Sequence, residues 1–128
     1  MSDKQASKQS RIVVLISGSG SNLQAIIDSC QNQQINAEVA MVISNRPDVF
    51  GLQRAEQAGI ANECIDHKGF ASREAFDQAL SNRLTDLNPD LIVLAGFMRI
   101  LTPEFVTNFL GKLVNIHPSL LPKYPGLN

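Results

Sequence analysis

The sequence predicts an α/β fold, with a doubly wound, mostly parallel sheet and helices on both of its faces. Residues 11–17, 38–44 and 90–96 (RIVVLIS, EVAMVIS and DLIVLAG) are short, continuous apolar runs. Runs of this kind are typical of strands that are buried on both faces. Stretches with the 3.6-residue periodicity of amphipathic helices lie between them. An alternation of buried strands and helices favours a Rossmann-type core.

The first half of the chain is expected to form two strand–helix units and a short third strand. Ser21 and Gln24 match a capping box at the start of the first helix. A second helix is predicted over residues 50–58 and ends at Gly59, and residues 61–66 form a short strand. The apolar face of the first helix comprises Leu23, Ile26, Ile27 and Cys30.

The second half continues the same alternation. A longer helix is predicted before Pro89, which ends it, and its apolar face comprises Phe76, Ala79, Leu80, Leu84 and Leu87. Thr102 as N-cap and Pro103 in the first turn begin the next helix, and Gly111 ends it. Residues 113–117 are predicted to form a last strand.

Length and charge restrict the classes of function. With 128 residues, one domain is expected. A formal net charge of -1 leaves no broad basic surface for nucleic acid, and no apolar run approaches the roughly 18 residues of a membrane helix. Residues 1–10 are polar and are interpreted as a flexible tail, so the domain is expected to span residues 11–128.

The two cysteines, Cys30 and Cys64, are far apart and match no metal-ligand spacing. We therefore expect no metal in this protein. So few cysteines fit a reducing compartment, and the cytoplasm is the expected location.

Ligands bind to parallel sheets of this type at the carboxyl ends of the strands. The polar residues that follow each predicted strand are therefore the candidates for a site. They are residues 17–22, 44–46 and 97–99, together with Asn115 and His117. These segments are distant in sequence, and we expect them to converge on one rim.

The turn at residues 18–22 (GSGSN) joins a strand to a helix and suits an anion, because glycines allow close approach and the helix start offers free N–H groups. A dinucleotide fingerprint needs a third Gly or Ala where Leu23 stands, and a P-loop needs a lysine that is absent here. We therefore favour a small phosphorylated ligand. The alternative is a tight turn that binds nothing.

Near the end of the chain, Pro118 favours an extended backbone at His117. If Asn115 is extended too, the two side chains point to the same face. An amide and an imidazole side by side suit acyl transfer to an amine, since Asn115 can donate to a developing oxyanion and His117 can move protons. The alternative is a structural histidine that binds a backbone carbonyl.

Three motifs carry a family resemblance: SGSGSNLQAII at 17–27, LAGFMRIL at 94–101 and NIHPSLLPKYPGL at 115–127. In type and order they resemble those of the phosphoribosylglycinamide formyltransferase (glycinamide ribonucleotide transformylase) family, from about Arg11 to the last residue. The resemblance implies a formyltransferase-like fold. It also implies transfer of a formyl group from 10-formyltetrahydrofolate to the amine of phosphoribosylglycinamide in de novo purine biosynthesis.

The resemblance assigns roles to individual residues. It implies that the phosphate of the substrate is held by Gly20, Ser21 and Asn22. It places the reduced folate against Arg73, Met98, Arg99, Ile100, Leu101 and Asn115. It makes Asn115 and His117 catalytic. Considered without the resemblance, Arg73 is a solvated residue at a helix start.

Members of the family continue beyond the position of Asn128, and their later segment supplies a catalytic aspartate, a substrate-binding stretch and more of the sheet. The chain therefore resembles the N-terminal part of a formyltransferase domain. By itself it is expected to be a fragment of low activity. The resemblance leaves a homodimer open.

Four other interpretations remain open. A formyltransferase acting on initiator tRNA is disfavoured by the near-neutral charge. A formyl-folate hydrolase, which uses water as acceptor, stays open, although the extra N-terminal regulatory domain of that enzyme has no counterpart here. A nicotinamide-binding domain could use Arg46 to hold a 2′-phosphate, although its third glycine is missing. The last is a chain that only binds its ligand or its own kind.

Overall fold

A computed structural model of the chain describes residues 9–99 and 101–116. Within them, five strands form one sheet in the order β3-β2-β1-β4-β5, and every pair of neighbours is parallel. The elements in chain order are β1 (Ser10–Ile16), α1 (Ser21–Gln31), β2 (Ala37–Ser44), α2 (Phe50–Gln57), β3 (Asn62–Cys64), a 3-10 turn (His67–Gly69), α3 (Arg73–Leu87), β4 (Leu91–Ala95), α4 (Pro103–Asn108) and β5 (Leu113–Ile116). The predicted α/β class is confirmed.

Helices cover both faces of the sheet, as predicted, because the central strand β1 sends alternate side chains to opposite sides. One apolar cluster joins β1 to α1 and α2 through Ile12, Val14, Ile16, Leu23, Ile27 and Ala55. The other joins β1 to α3 and α4 through Val13, Leu15, Phe76, Leu80, Leu84 and Phe105. The sheet is therefore buried between two helical layers, which explains why its strands are apolar runs rather than alternating patterns.

Most of the predicted helix ends are confirmed. The Thr102 hydroxyl accepts a hydrogen bond from the Phe105 N–H at 3.2 Å, and Pro103 occupies the first turn of α4. Gly59 follows α2 with a positive φ of 73°. These local signals act within a few residues, so they are visible in the sequence.

The connections place a crevice at the carboxyl ends of β1 and β4. From β1 the chain proceeds outward to β2 and β3, then returns to the other side of β1 to form β4 and β5. The loops after β1 and β4 therefore diverge, and the space between them is where sheets of this type bind ligands.

Candidate functional site

The loop between β1 and α1 leaves the amino end of the helix open. Gly20 precedes the helix in a left-handed conformation (φ 77°) and, as a glycine, has no side chain that could cap it. The predicted capping box is wrong, because Ser21 is already helical and Gln24 donates to the Asp28 carboxylate at 3.0 Å. The N–H groups of residues 21–23 therefore have no helical partner, which is the arrangement that binds phosphate.

The start of α2 supports this turn from the side. The Gly51 N–H donates to the Gly18 carbonyl at 3.0 Å, and the Arg54 Nε donates to the Ser19 carbonyl at 2.7 Å. A Cβ on Gly20 would lie 2.7 Å from the Gly51 Cα. Neither Gly51 nor Arg54 is among the site residues that the sequence predicted. A glycine inside a helix, where alanine is more favourable, is the signal that points to Gly51.

A cleft of about 270 Å³ opens between the loops after β1 and β4. It is lined by residues 17–22, Arg46 and residues 95, 96 and 98. The structure thus brings together three of the four rim segments that the sequence predicted. Arg46 is exposed at this rim and adds a positive charge to it. The open helix start and this cation make the cleft suitable for an anion.

A second groove, of about 190 Å³, lies at the other end of the sheet. Its lining includes Gln9, Ala37 and Val39, which belong to the amino ends of β1 and β2 and the residues before them, together with Ile27 and Cys30 of α1. It contains no glycine-rich turn. The cleft at the carboxyl ends is therefore the better candidate for the functional site.

A buried hydrogen-bonded network lies behind the cleft. The Met98 N–H donates to the Ser17 Oγ at 2.8 Å, and the Ser17 hydroxyl donates to the Asn45 Oδ1 at 2.5 Å. Ser17 and Asn45 are 1% and 2% exposed. The ring of His67 contacts the Asn45 carbonyl at 2.9 Å. Loops after β1, β2, β3 and β4 are joined in this way. The sequence did not indicate His67.

The segment after β4 carries most of the residues expected to bind folate. Met98 is 77% exposed and lines the cleft. The Arg99 guanidinium instead lies 5.1 Å from the centroid of the Phe76 ring on α3, and Leu101 packs against the apolar cluster on that face. Ile100 lies outside the described residues. Within this segment, Met98 therefore faces the cleft, whereas Arg99 and Leu101 contact the apolar layer on the side of α3.

The remaining predicted residues are placed as follows. Asn115 is exposed near the end of β5, opposite Leu94 of β4, and therefore lies at the same rim as the cleft. His117 lies outside the described residues. Arg73 is exposed at the first position of α3 and is not part of the cleft lining. Its proposed contact with folate therefore rests on the resemblance.

Two ionisable groups near the outer strand β3 have shifted pKa values. Partial burial raises the pKa of the Cys64 thiol, and the carboxylates of Asp66 and Asp48 raise it further. The hydrogen bonds from Arg83 to Glu63, at 2.7 and 3.1 Å, raise the pKa of the guanidinium. This bidentate pair ties α3 to β3.

In residues 9–99 and 101–116, no three His, Cys, Asp or Glu side chains are grouped so as to hold a metal ion. None of the helices in this part of the chain has both the length and the apolar character required to cross a membrane.

The sequence model of the formyl transferase family matches residues 10–128. Phosphoribosylglycinamide formyltransferase of Escherichia coli (strain K12) is 59% identical over 117 residues, which are 91% of this chain and 55% of that protein. The trifunctional purine biosynthetic protein adenosine-3 of Drosophila melanogaster is 58% identical over 123 residues, 94% of this chain and 9% of that protein.

Comparison with solved structures leads to the same family. Glycinamide ribonucleotide transformylase 1 from Symbiobacterium toebii has 50% sequence identity and a TM-score of 0.84, over 94% of this chain and 57% of that one. The chain spans about half the length of the single-function relatives that it matches.

Proposed function

The chain belongs to the formyl transferase family, and we propose that its full-length protein transfers a formyl group from 10-formyltetrahydrofolate to the amine of phosphoribosylglycinamide. This reaction belongs to purine biosynthesis. We further propose that it takes place in the cytoplasm, a location that fits the free thiols of Cys30 and Cys64.

The observation that carries this proposal is the meeting of two loops at one cleft. The turn at residues 18–20 leads into an open helix start, which suits the phosphate of the acceptor. Met98 brings the segment after β4 to the same cleft, and we assign that segment to the folate together with Arg73, Arg99, Ile100, Leu101 and Asn115. Donor and acceptor are thereby held side by side.

The phosphate is assigned to Gly20, Ser21 and Asn22. Gly20 allows close approach of the backbone, and the N–H groups of Ser21 and Asn22 have no helical partner. Arg46 lies at the same cleft and adds a positive charge. These groups favour an acceptor that carries phosphate over one that does not.

The proposed chemistry is direct transfer. The acceptor amine attacks the formyl carbon and forms the new C–N bond, while the former carbonyl oxygen becomes an oxyanion. The bond from that carbon to N10 of the folate then breaks, the amine loses one proton and N10 gains one. We assign to Asn115 the hydrogen bond that stabilises the oxyanion, and to His117 the transfer of the proton.

The test is an assay of the full-length protein with 10-formyltetrahydrofolate and three acceptors: phosphoribosylglycinamide, the same molecule without its phosphate, and water alone. We expect formylated phosphoribosylglycinamide by mass spectrometry, a far higher KM without the phosphate, and little release of formate. Formate release at an unchanged rate with no formylated amine would show a hydrolase instead. Equal KM values for the two amines would contradict the phosphate assignment.

A further inference from the structure

Ser17 connects the two loops that form the cleft. It is the last residue before the turn at residues 18–20, and its hydroxyl holds the Met98 N–H at 2.8 Å. These two residues are 81 positions apart in sequence. One side chain therefore joins the loop assigned to the phosphate to the segment assigned to the folate.

The hydrogen bonds of Ser17 have a fixed direction. A backbone N–H can only donate, so the Ser17 Oγ accepts from Met98 and must direct its own hydrogen elsewhere. That hydrogen goes to the Asn45 Oδ1 at 2.5 Å. Because Ser17 and Asn45 are buried, neither group can exchange its partner for water without cost. A displacement of Ser17 therefore strains both bonds.

The two loops differ in how they are held. The turn is fixed to α2 through Gly51 and Arg54, as described above. The start of the other segment is more open, because Met98 is largely exposed and, apart from the residues next to Gly96, no atom of the described part of the chain lies within 4 Å of where a Cβ on Gly96 would stand. The bond to Ser17 is consequently well placed to set the position of this segment relative to the turn.

We propose that Ser17 is a positioning residue that couples the two binding events, so that the phosphorylated amine and the reduced folate each strengthen the binding of the other. This inference rests on the proposed function. An anion on the turn further restricts the backbone at Gly18, which Gly51 already holds, further restricts Ser17 beside it, and thereby restrains the Met98 N–H. By thermodynamic linkage the effect is reciprocal.

The experiment measures this coupling with the full-length protein by calorimetry. The Kd of phosphoribosylglycinamide is determined alone and with saturating tetrahydrofolate, which carries no formyl group to transfer. We expect the folate to lower the Kd about 5-fold or more in the wild type. In Ser17→Ala the ratio of the two Kd values is expected to fall toward unity. Ser81→Ala removes another buried hydroxyl, on α3, and should retain the wild-type ratio.

A second measurement uses the wild-type protein alone, so it does not depend on the stability of a variant. Phosphoribosylglycinamide without folate is expected to slow hydrogen exchange at the Met98 N–H. The Phe105 N–H is a matched control, since it also donates to a side-chain hydroxyl, that of Thr102, at 3.2 Å. Its exchange should not change.

The outcomes separate this inference from the proposed function. Two results contradict the coupling but not the proposed function, provided that both ligands bind. One is a ratio of Kd values that is the same in Ser17→Ala as in the wild type. The other is hydrogen exchange that phosphoribosylglycinamide slows neither at the Met98 N–H nor at the Phe105 N–H. If neither ligand binds to the wild type, the proposed function is wrong, and the coupling is wrong with it.

Discussion

At the scale of single residues, His67 fixes Asn45 through both its backbone and its ring. Its N–H donates to the Asn45 carbonyl at 3.1 Å, and its Nδ1 lies 2.9 Å from the same oxygen and 3.3 Å from the Asn45 Nδ2. A carbonyl can only accept, so the shorter contact requires a hydrogen on Nδ1, and Nδ1 then cannot accept from Nδ2. His67 therefore holds the backbone of Asn45, whereas the side chain of Asn45 is oriented by the Ser17 hydroxyl, which donates to its Oδ1 at 2.5 Å.

Gly20 is predicted to be irreplaceable for phosphate binding. In Gly20→Ala, the positive φ of 77° and the approach to the Gly51 Cα strain the turn, at about 1–2 kcal/mol for the backbone conformation alone. We expect the KM for phosphoribosylglycinamide to rise more than the KM for the folate. Gly59→Ala is the control, because Gly59 has a similar φ of 73° with open space around it. If both variants raise this KM equally, the turn does not bind the phosphate.

Asn115 and His117 are predicted to carry the chemistry. In the full-length protein, Asn115→Ala and His117→Ala should each lower kcat strongly. The loss of an oxyanion donor such as Asn115 typically costs about 10²–10³-fold. Steady-state kinetics at saturating substrates measure the effect, with circular dichroism to confirm folding. Near-normal turnover of either variant would show that its role is misassigned.

Cys64 is predicted to react slowly although it is exposed. Partial burial and the charges of Asp66 and Asp48 raise its pKa. At about pH 8, a smaller fraction of Cys64 is therefore thiolate than of a free cysteine, whose pKa is about 8.5. The pH profile of its alkylation by iodoacetamide should lie at higher pH than that of a small thiol. Asp66→Asn should accelerate the reaction, whereas Asp28→Asn, whose charge is not a cause of the shift, should not. Equal rates for both variants would contradict this account.

At the scale of elements, the short helix α4 depends on its first residues. The Thr102 hydroxyl caps the helix, and the Thr102 N–H donates to the buried Asp77 carboxylate of α3 at 2.7 Å. Six residues are too few for a helix that is stable by itself. The cap and the packing of Phe105 therefore hold α4, and with it the end of the segment that starts at Met98.

Removal of this cap should destabilise the protein measurably. Thr102→Ala loses the hydrogen bond to the Phe105 N–H and is expected to lower the free energy of unfolding by about 0.5–2 kcal/mol. Thr102→Ser keeps the hydroxyl and should lose much less. Urea unfolding followed by circular dichroism measures both. An unchanged midpoint in Thr102→Ala would mean that packing alone defines the start of this helix.

At the scale of the whole molecule, β1 joins the two apolar layers into one cooperative unit. Ile16 contributes to the layer of α1 and α2, and Leu15 contributes to that of α3 and α4. Both side chains are fully buried in the centre of the sheet. Loss of packing on either face therefore weakens the same strand.

We expect Leu15→Ala and Ile16→Ala each to lower the free energy of unfolding by about 2–5 kcal/mol. Each variant should still unfold in a single transition, because the two layers share β1. Ile35→Ala is the control, since Ile35 is 42% exposed and a surface change costs within about 0.5 kcal/mol. Fluorescent probes attached to α1 and α3 that report different midpoints would show that the layers unfold separately.

The sequence by itself determined the fold class and most of the elements. Buried strands appear as apolar runs, and the Thr102 cap and the glycine after α2 act within a few residues of the helix ends. Interactions between residues that are close in sequence leave patterns that can be recognised in the sequence alone. The turn at residues 18–22 was predictable for the same reason, and the motif around Asn115 pointed to the family that the relatives later identified.

Only the tertiary structure decided how the rim is held together. The Ser17–Asn45 and Ser17–Met98 bonds join residues 28 and 81 positions apart, and no local pattern encodes such a pairing. The failed capping box has the same origin. Gly20 has a left-handed conformation and packs closely against Gly51 of α2, and the helix begins at Ser21. The neighbouring helix, rather than a capping side chain, supports this start and leaves it open for a ligand.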